Sequence, residues 1–242
     1  MSSSPQVVAV SRQEWLVASK VLLQKEKELT KARAALAKER RALPMVKVDK
    51  EYTFKGPGGE TVTLADLFDG KDQLIVYHFM FGPGEDKGCY GCTHVGESLP
   101  DPAHMRHKNV NIVCVSRGDA DALEARKQVA GWKWKWYSSG GTDFNTDFNA
   151  TVDPAVAEPL MNFETKDERK AGGRYVTDSG DIPGLSVFFK HDGAIYHTYS
   201  TWERGLEVLI PTFALLDMVP QGRRDTPYGP GDFRLPQEYE EE

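Results

Sequence analysis

The sequence predicts an α/β protein, a mixed sheet flanked by helices, with a long helix and a β-hairpin ahead of it. Three observations carry that expectation. Two nearly unbroken apolar runs, LIVYHFMF at 74–81 and NVNIVCVS at 109–116, read as central strands covered on both faces. A helical pattern follows each of them, so strands alternate with helices. WKWKWYS at 132–138 alternates strictly, with Trp132, Trp134 and Trp136 toward one face and Lys133 and Lys135 toward the other, the period of a half-buried strand.

Bulk composition narrows the partners. The 242 residues suffice for one large domain with embellishments, and 40% hydrophobic residues can bury a core. Thirty Lys and Arg against 36 Asp and Glu leave a net charge of −6, which gives no electrostatic reason to expect nucleic acid or an anionic membrane. The opening MSSSPQVVAVSRQEW lacks the basic start and apolar run of a signal peptide. No apolar stretch nears the roughly 20 residues of a membrane span. A cytoplasmic, reducing location is therefore expected. There, a close pair of cysteines is more often catalytic or metal-binding than structural.

Taken in order, residues 1–44 form a charged helical arm. Trp15, Leu22, Leu29, Leu36 and Leu43 recur every seven positions across 11–43, and Pro44 ends the helix. A coiled coil needs a second apolar position per heptad. The residues three before each leucine are Ser19, Glu26, Arg33 and Arg40. The helix is thus expected to lie against its own domain or a neighbouring subunit, with a homo-oligomer through this helix as one partner arrangement.

Residues 45–220 hold the main domain. Val46 to Phe54 and Glu60 to Leu64 flank Gly56-Pro57-Gly58-Gly59 and predict a hairpin. Leu64 to Phe68 reads as a helical turn, 74–81 as the first central strand, and the segment after Cys92 as a helix broken near Pro100 and Pro102. The second central strand, 109–116, precedes a helix over 119–131 that closes on Gly131. An irregular insertion occupies about 151–181. LSVFFKHDGAIYHTYST at 185–201 is a hairpin turning at Asp192-Gly193. GLEVLIPTFALLDMV at 205–219 is a last helix, interrupted at Pro211. The tail, 221–242, is rich in Pro, Gly and acid and is expected to be loose.

FGPGEDKGCYGCTH, residues 81–94, holds two of the three cysteines, just past the first central strand and at the start of a helix. Unpaired N–H groups and the positive end of the helix dipole favour a thiolate there, and the thiolate is the nucleophile. Two intervening residues let the second sulfur close a ring after the first has attacked. Cys89 would attack and Cys92 resolve, with Tyr90 and Gly91 tuning the pair.

A second reading uses the same residues as a metal site. Cys89, Cys92 and His94, with His78, His104 and His107, would offer nitrogen and sulfur ligands to zinc or copper. A third makes the dithiol inert and gives the function to the N-terminal helix. Cys114 sits in an apolar strand and is expected to be buried and unreactive. Neither Gly140-Gly141 nor Gly172-Gly173 has a phosphate-loop pattern.

From Tyr52 to Val219 the chain resembles the thioredoxin-like superfamily, on its peroxiredoxin-like branch. QLIVYHFMFGPGEDKGCYGC, WYSSGGTDFNTDF and PGLSVFFKHDGAIYHTYSTWERG resemble, more narrowly, a bacterial and fungal family of unknown function predicted to be dithiol–disulfide oxidoreductases. The resemblance implies that Cys89 is the nucleophile and Cys92 the resolving cysteine. It implies no cofactor and no bound metal, a thiol or disulfide substrate, and a cytosolic thiol reductant. Ile182-Pro183 resembles the segment where thioredoxins hold a cis-proline against the dithiol, with Gly184 as an extra residue.

The departures from the pattern are specific. Thioredoxins carry an acid in the first core strand to take the proton of the resolving cysteine, and LIVYHF has none. His78 is the candidate substitute, against the plainer reading of a hydrogen-bonded strand histidine. Asp86 stands where peroxiredoxins have a threonine. No arginine lies within 182–185, and Arg117 follows a different strand. A weak thiol peroxidase is accordingly the alternative activity.

Overall fold

A computed structural model describes residues 7–156, 160–224 and 229–239. Helix α1 (Arg12–Arg41) opens on a capping box, with the Glu14 N–H donating to Ser11 Oγ and the Ser11 N–H donating to the Glu14 carboxylate. None of its residues is buried, and Leu22 is 57% exposed. Its contact with the body includes the Arg40 guanidinium, 5.4 Å over the Tyr199 ring. Of the two expected placements, the one against its own domain is corrected: the apolar line of Trp15 to Leu43 faces solvent.

Strand β1 (Val46–Lys47) follows, then β2 (Thr53–Lys55), β3 (Thr61–Thr63), β4 (Gln73–His78), helices α2 (Tyr90–Ser98) and α3 (Pro102–His107), and β5 (Val110–Ser116). Helix α4 (Ala120–Ala130) leads to β6 (Lys135–Ser138), α5 (Phe144–Asp147) and β7 (Thr151–Val152). Helix α6 (Lys166–Ala171) precedes β8 (Gly180–Asp181), β9 (Gly184–His191), β10 (Ala194–Trp202) and α7 (Pro211–Leu216). Eight strands form one sheet in the order β1-β10-β9-β4-β5-β6-β2-β3, and β7 pairs with β8 apart from it.

The predicted hairpin exists over β2 and β3 but is shorter than expected. Val46–Lys47 does not extend it. That strand pairs with His197 and Tyr196 of β10, at the opposite edge of the sheet. The charged stretch Asp49-Lys50-Glu51 separates the two. The β9–β10 hairpin turns where expected, with Asp192 and Gly193 at φ of 49° and 77°, the geometry of a tight two-residue turn. The last helix is two pieces, a 3₁₀ segment at Glu203–Leu209 and then α7, because Pro211 has no N–H to continue the ladder.

β4 runs parallel to β5, and β5 to β6, whereas β9 is antiparallel to β4 and β10 to β9. A β4–α2–β5 unit beside a β9–β10–α7 unit, with strand order 10-9-4-5, is the thioredoxin-like core that the resemblance implies. Alternation along each strand then divides the core in two. One face gathers Tyr77, Phe79, Cys114, Leu123, the three tryptophans, Leu206 and Phe213. The other gathers Tyr52, Phe54, Val76, Val115, Phe144, Phe148 and Phe188. Trp132, Trp134 and Trp136 thus line the core as their alternation predicts; the first two rings stack at 4.7 Å.

The insertion has a base and an anchor. β7 and β8 close it, and Arg169, 1% exposed, donates to the carbonyls of Met161 and Tyr175 and to the carboxylate of Glu203. The tail expected to be loose is corrected over 229–239. There Leu235 is fully buried, and Glu238 accepts from the buried Arg126 at 3.0 Å. Two apolar residues, Phe233 and Leu235, suffice to hold a segment that composition alone reads as disordered.

Candidate active site

The end of β4 delivers the chain into a loop that must double back before α2 begins. The Cys89 N–H donates to the Met80 carbonyl at 3.0 Å and closes that loop. Gly88, at φ 69°, makes the closure possible: a Cβ there would lie 2.7 Å from the Phe81 ring and 3.0 Å from the Met80 oxygen. Gly96, on α2, lets the helix settle on Trp132, whose ring would be 2.9 Å from a Cβ.

Cys89 is the N-cap residue of α2 and is partly exposed, whereas Cys92, one turn in, is 1% exposed. The two thiols are free. The neighbouring Cys92 thiol, followed by the N–H groups of Cys92 and Gly91 aimed at the Cys89 sulfur without closing a full cap, brings the Cys89 thiol down to about 7 against the opposing effect of burial. Cys92 moves the other way. Burial and the nearby Cys89 sulfur hold it protonated, while the Met80 N–H donates to its sulfur at 3.4 Å. Cys114 is fully buried in β5, and burial raises its thiol as well. Of the three sulfurs, only that of Cys89 is shifted toward the thiolate.

Cys89 lies between two cavities. An apolar one of about 350 Å³ is walled by Tyr77, Met80, Val95, Pro183, Leu206 and Ile210, and both cysteines open onto it. A more polar one of about 560 Å³ is lined by Glu85, Asp86, Lys87, Cys89, Arg117 and Asp181. Arg117 is therefore at the site despite following a different strand, and its Nε donates to Asp181 at 2.6 Å. Pro183 is brought to the cysteines as the sequence suggests, but its peptide bond is trans, as are the others among the described residues.

Tyr90 and Gly91 sit between the cysteines, and Arg234 lies 3.8 Å over the Tyr90 ring. Phe233 stacks on His94 at 3.9 Å, so residues 229–239 strap the helix that carries the pair. No spacing or residue type in that tail announces the role; the contacts of Phe233 and Arg234 with α2 reveal it.

His78 is not at the site. Its Nε2 bonds to Ser186 Oγ at 2.9 Å on the far face of the sheet, beside Phe144. Burial pushes it down to about 3, so it is neutral. The reading of His78 as the base is corrected, and the hydrogen-bonded strand histidine stands. The metal reading finds no constellation either: among the described residues no three His, Cys, Asp or Glu side chains converge as a metal site. His104 and His107 lie on α3, His94 is held by Phe233, and His78 is behind the sheet.

The residue on β4 that does face the pair is Tyr77. It is fully buried, lines the apolar cavity, and its hydroxyl has no hydrogen-bond partner of full geometry. Cys92 is the sulfur it lies against. The strand's two-residue period was the signal available in the sequence: Tyr77, unlike His78, shares a face with Phe79 and Ile75.

The strand order and the helix placement define a thioredoxin-like fold, with Cys89 and Cys92 at the start of the helix after β4. The chain belongs to the family described as a bacterial protein of unknown function, DUF899, whose model matches residues 3–239. No curated protein matches it. Among solved structures, peroxiredoxin Q of Xanthomonas campestris is 13% identical over 66% of this chain and 87% of its own, with a TM-score of 0.44. The peroxidoxin BcpB of Mycobacterium tuberculosis is 9% identical over 70% and 96%, with a TM-score of 0.45. The thioredoxin-like class rests on the strand order. No helix among the described residues is long and apolar enough to cross a membrane.

Proposed function

We propose that the protein is a thiol–disulfide oxidoreductase in which Cys89 attacks and Cys92 resolves. The supporting observation is the division of labour between the sulfurs. Cys89 is partly exposed, lowered to about 7 and open to two cavities, while Cys92, lining the first of them, is buried and held protonated. In the first step the Cys89 thiolate attacks one sulfur of a substrate disulfide. A Cys89–substrate S–S bond forms, the substrate's own S–S bond breaks, and the departing thiolate takes a proton from solvent. Cys92 then gives up its proton and attacks Cys89 Sγ. The Cys89–Cys92 bond forms, the mixed disulfide breaks, and the second substrate thiol leaves with the electron pair and a proton. The substrate gains two electrons, and a thiol reductant restores the pair.

The test is to mix reduced protein with dithiodipyridine, quench with acid, alkylate, and locate the bridge by mass spectrometry. An internal Cys89–Cys92 disulfide is expected. Cys92→Ser should leave a stable adduct on Cys89, and Cys89→Ser should react at least about a hundredfold more slowly, because burial keeps the other thiols protonated. Reaction of Cys114 as fast as Cys89, or no internal bridge, would reject the reading. A parallel run with hydrogen peroxide that forms the bridge faster than the disulfide does would reassign the centre to peroxide reduction.

A further inference from the structure

The buried, unpartnered hydroxyl of Tyr77 is the polar atom at this site that the proposed exchange leaves without a task. A phenol can donate one hydrogen bond and accept others. Left unpaired in an apolar interior, such a group costs free energy that folding alone gives no reason to accept. Its surroundings narrow the partner. Ile75 and Phe79 share its strand face, Cys114 sits opposite it on β5, and the apolar cavity lies in front. The sulfur in reach is Cys92, which already receives the Met80 N–H at 3.4 Å.

We propose that Tyr77 is the second hydrogen-bond donor to Cys92, and that it stabilises the Cys92 thiolate as that sulfur attacks the mixed disulfide on Cys89. The inference rests on the exchange reading above. During the step the Cys92 S–H proton passes to the departing substrate thiolate, the Cys89–Cys92 bond forms and the Cys89–substrate bond breaks. Tyr77 keeps its own proton throughout and only turns it toward the sulfur. The Met80 N–H and the Tyr77 O–H then hold the negative charge that Cys92 carries once its proton has left, Cys92 and the Tyr77 hydroxyl being buried from water. Burial, with Cys92, Cys114 and Cys89 beside it, holds the Tyr77 phenol well above its usual range, so it stays a donor. The charged groups at the cavity mouth are Glu203, Arg204 and Glu207, all on the 203–209 segment. Arg204 and Glu207 pair with each other.

Tyr77→Phe is the decisive change, since it removes the hydroxyl and keeps the ring. Deleting an unpartnered buried hydroxyl should not lower thermal stability. In a single-turnover reaction with dithiodipyridine, the adduct on Cys89 should form within about twofold of the wild-type rate. Closure to the Cys89–Cys92 bridge should slow by about 10- to 100-fold, the worth of a hydrogen bond to a charged group. The adduct should accumulate, and the pH profile of closure should move to higher pH. In a Cys89→Ser background, the Cys92 thiolate absorbance should likewise appear at higher pH when Tyr77→Phe is added. Closure at the wild-type rate with an unmoved profile would overturn the role of Tyr77 and leave the exchange intact. Failure of the wild type to form any adduct on Cys89 would instead overturn the exchange reading itself. A loss of stability in Tyr77→Phe with unchanged closure would assign the hydroxyl a structural role and also overturn the proposal.

Discussion

Tyr77 faces two cysteines and a cavity with its hydroxyl unpaired, whereas His78, the next residue of β4, bonds to Ser186 on the other face, beside Phe144. The two sides of the strand solve opposite problems. Behind the sheet, polar atoms are chained: His78 to Ser186 at 2.9 Å, Ser186 to Ser200 at 2.9 Å, and Ser200 to His197 at 2.7 Å. A register shift in β10 between His197 and Tyr199 accompanies the last link. In front, burial is nearly as complete, but Tyr77 OH and the Cys92 thiol are held with little to compensate them. His78 Nδ1 is itself buried without a partner, so what separates the two residues is their aim: Tyr77, unlike His78, lines the cavity onto which the cysteines open.

The sharpest way to break that contrast is to truncate the rear face. His78→Ala removes a ring packed beside Phe144 and one of the two hydrogen-bond partners of Ser186, and should cost about 2–4 kcal/mol of stability. It should leave the rate at which Cys89 is alkylated within about twofold, measured at a temperature where the variant remains folded. A large loss of thiol reactivity would show that the two faces are not separate. Acid sensitivity gives the same contrast a sign. His78 is neutral in the fold until about pH 3, whereas an unfolded chain protonates it near pH 6.5. Between those values the unfolded state binds the extra proton, so stability falls as pH is lowered through that window. In chemical denaturation across pH, His78→Ala should flatten that part of the fall.

The front face has its own signature in pH. With Cys89 lowered to about 7, its alkylation by iodoacetamide should rise with pH through a midpoint about 7 and be lost below it as the thiolate takes up a proton. Cys92 and Cys114, both raised by burial, should contribute no second step in that range. In the Cys92→Ser variant the second thiol is replaced by a hydroxyl, so the midpoint should move, by about one unit at most. A midpoint near the ordinary thiol value in the wild type would mean that neither the helix N-terminus nor Cys92 acts on Cys89.

How much of this was legible in the sequence follows from which signals are local. Central strands, the α2 start, the tight turn at Asp192-Gly193 and the cysteine pair are written in runs of a few residues, and each lies where those runs put it. Val46 going to the far sheet edge, Arg117 sharing a cavity with Cys89, and Phe233 stacking on His94 of α2 join residues far apart in the chain, which no periodicity records. The error over His78 is of another kind. Side-chain chemistry suggested a base, while strand alternation, equally visible, placed that base on the wrong face. Where a strand carries a candidate residue, its neighbours' facing decides before its titration does.

The smallest expected effect concerns the arm, where nothing is at stake for the body. Every residue of α1 is at least partly open to solvent, and Leu22 and Leu29 are 57% and 52% exposed. Truncating or charging a side chain that touches nothing changes stability by no more than about 0.5 kcal/mol. Leu22→Glu with Leu29→Glu should therefore leave both the midpoint of Cys89 alkylation and the denaturation of the body unchanged at low protein concentration. Helices of this kind draw most of their stability from packing. If the arm instead finds a second copy of the chain, the wild type should become more stable as its concentration rises, and the double substitution should abolish that dependence. Denaturation of both proteins over a range of concentrations separates an arm that is only solvated from one that waits for a partner.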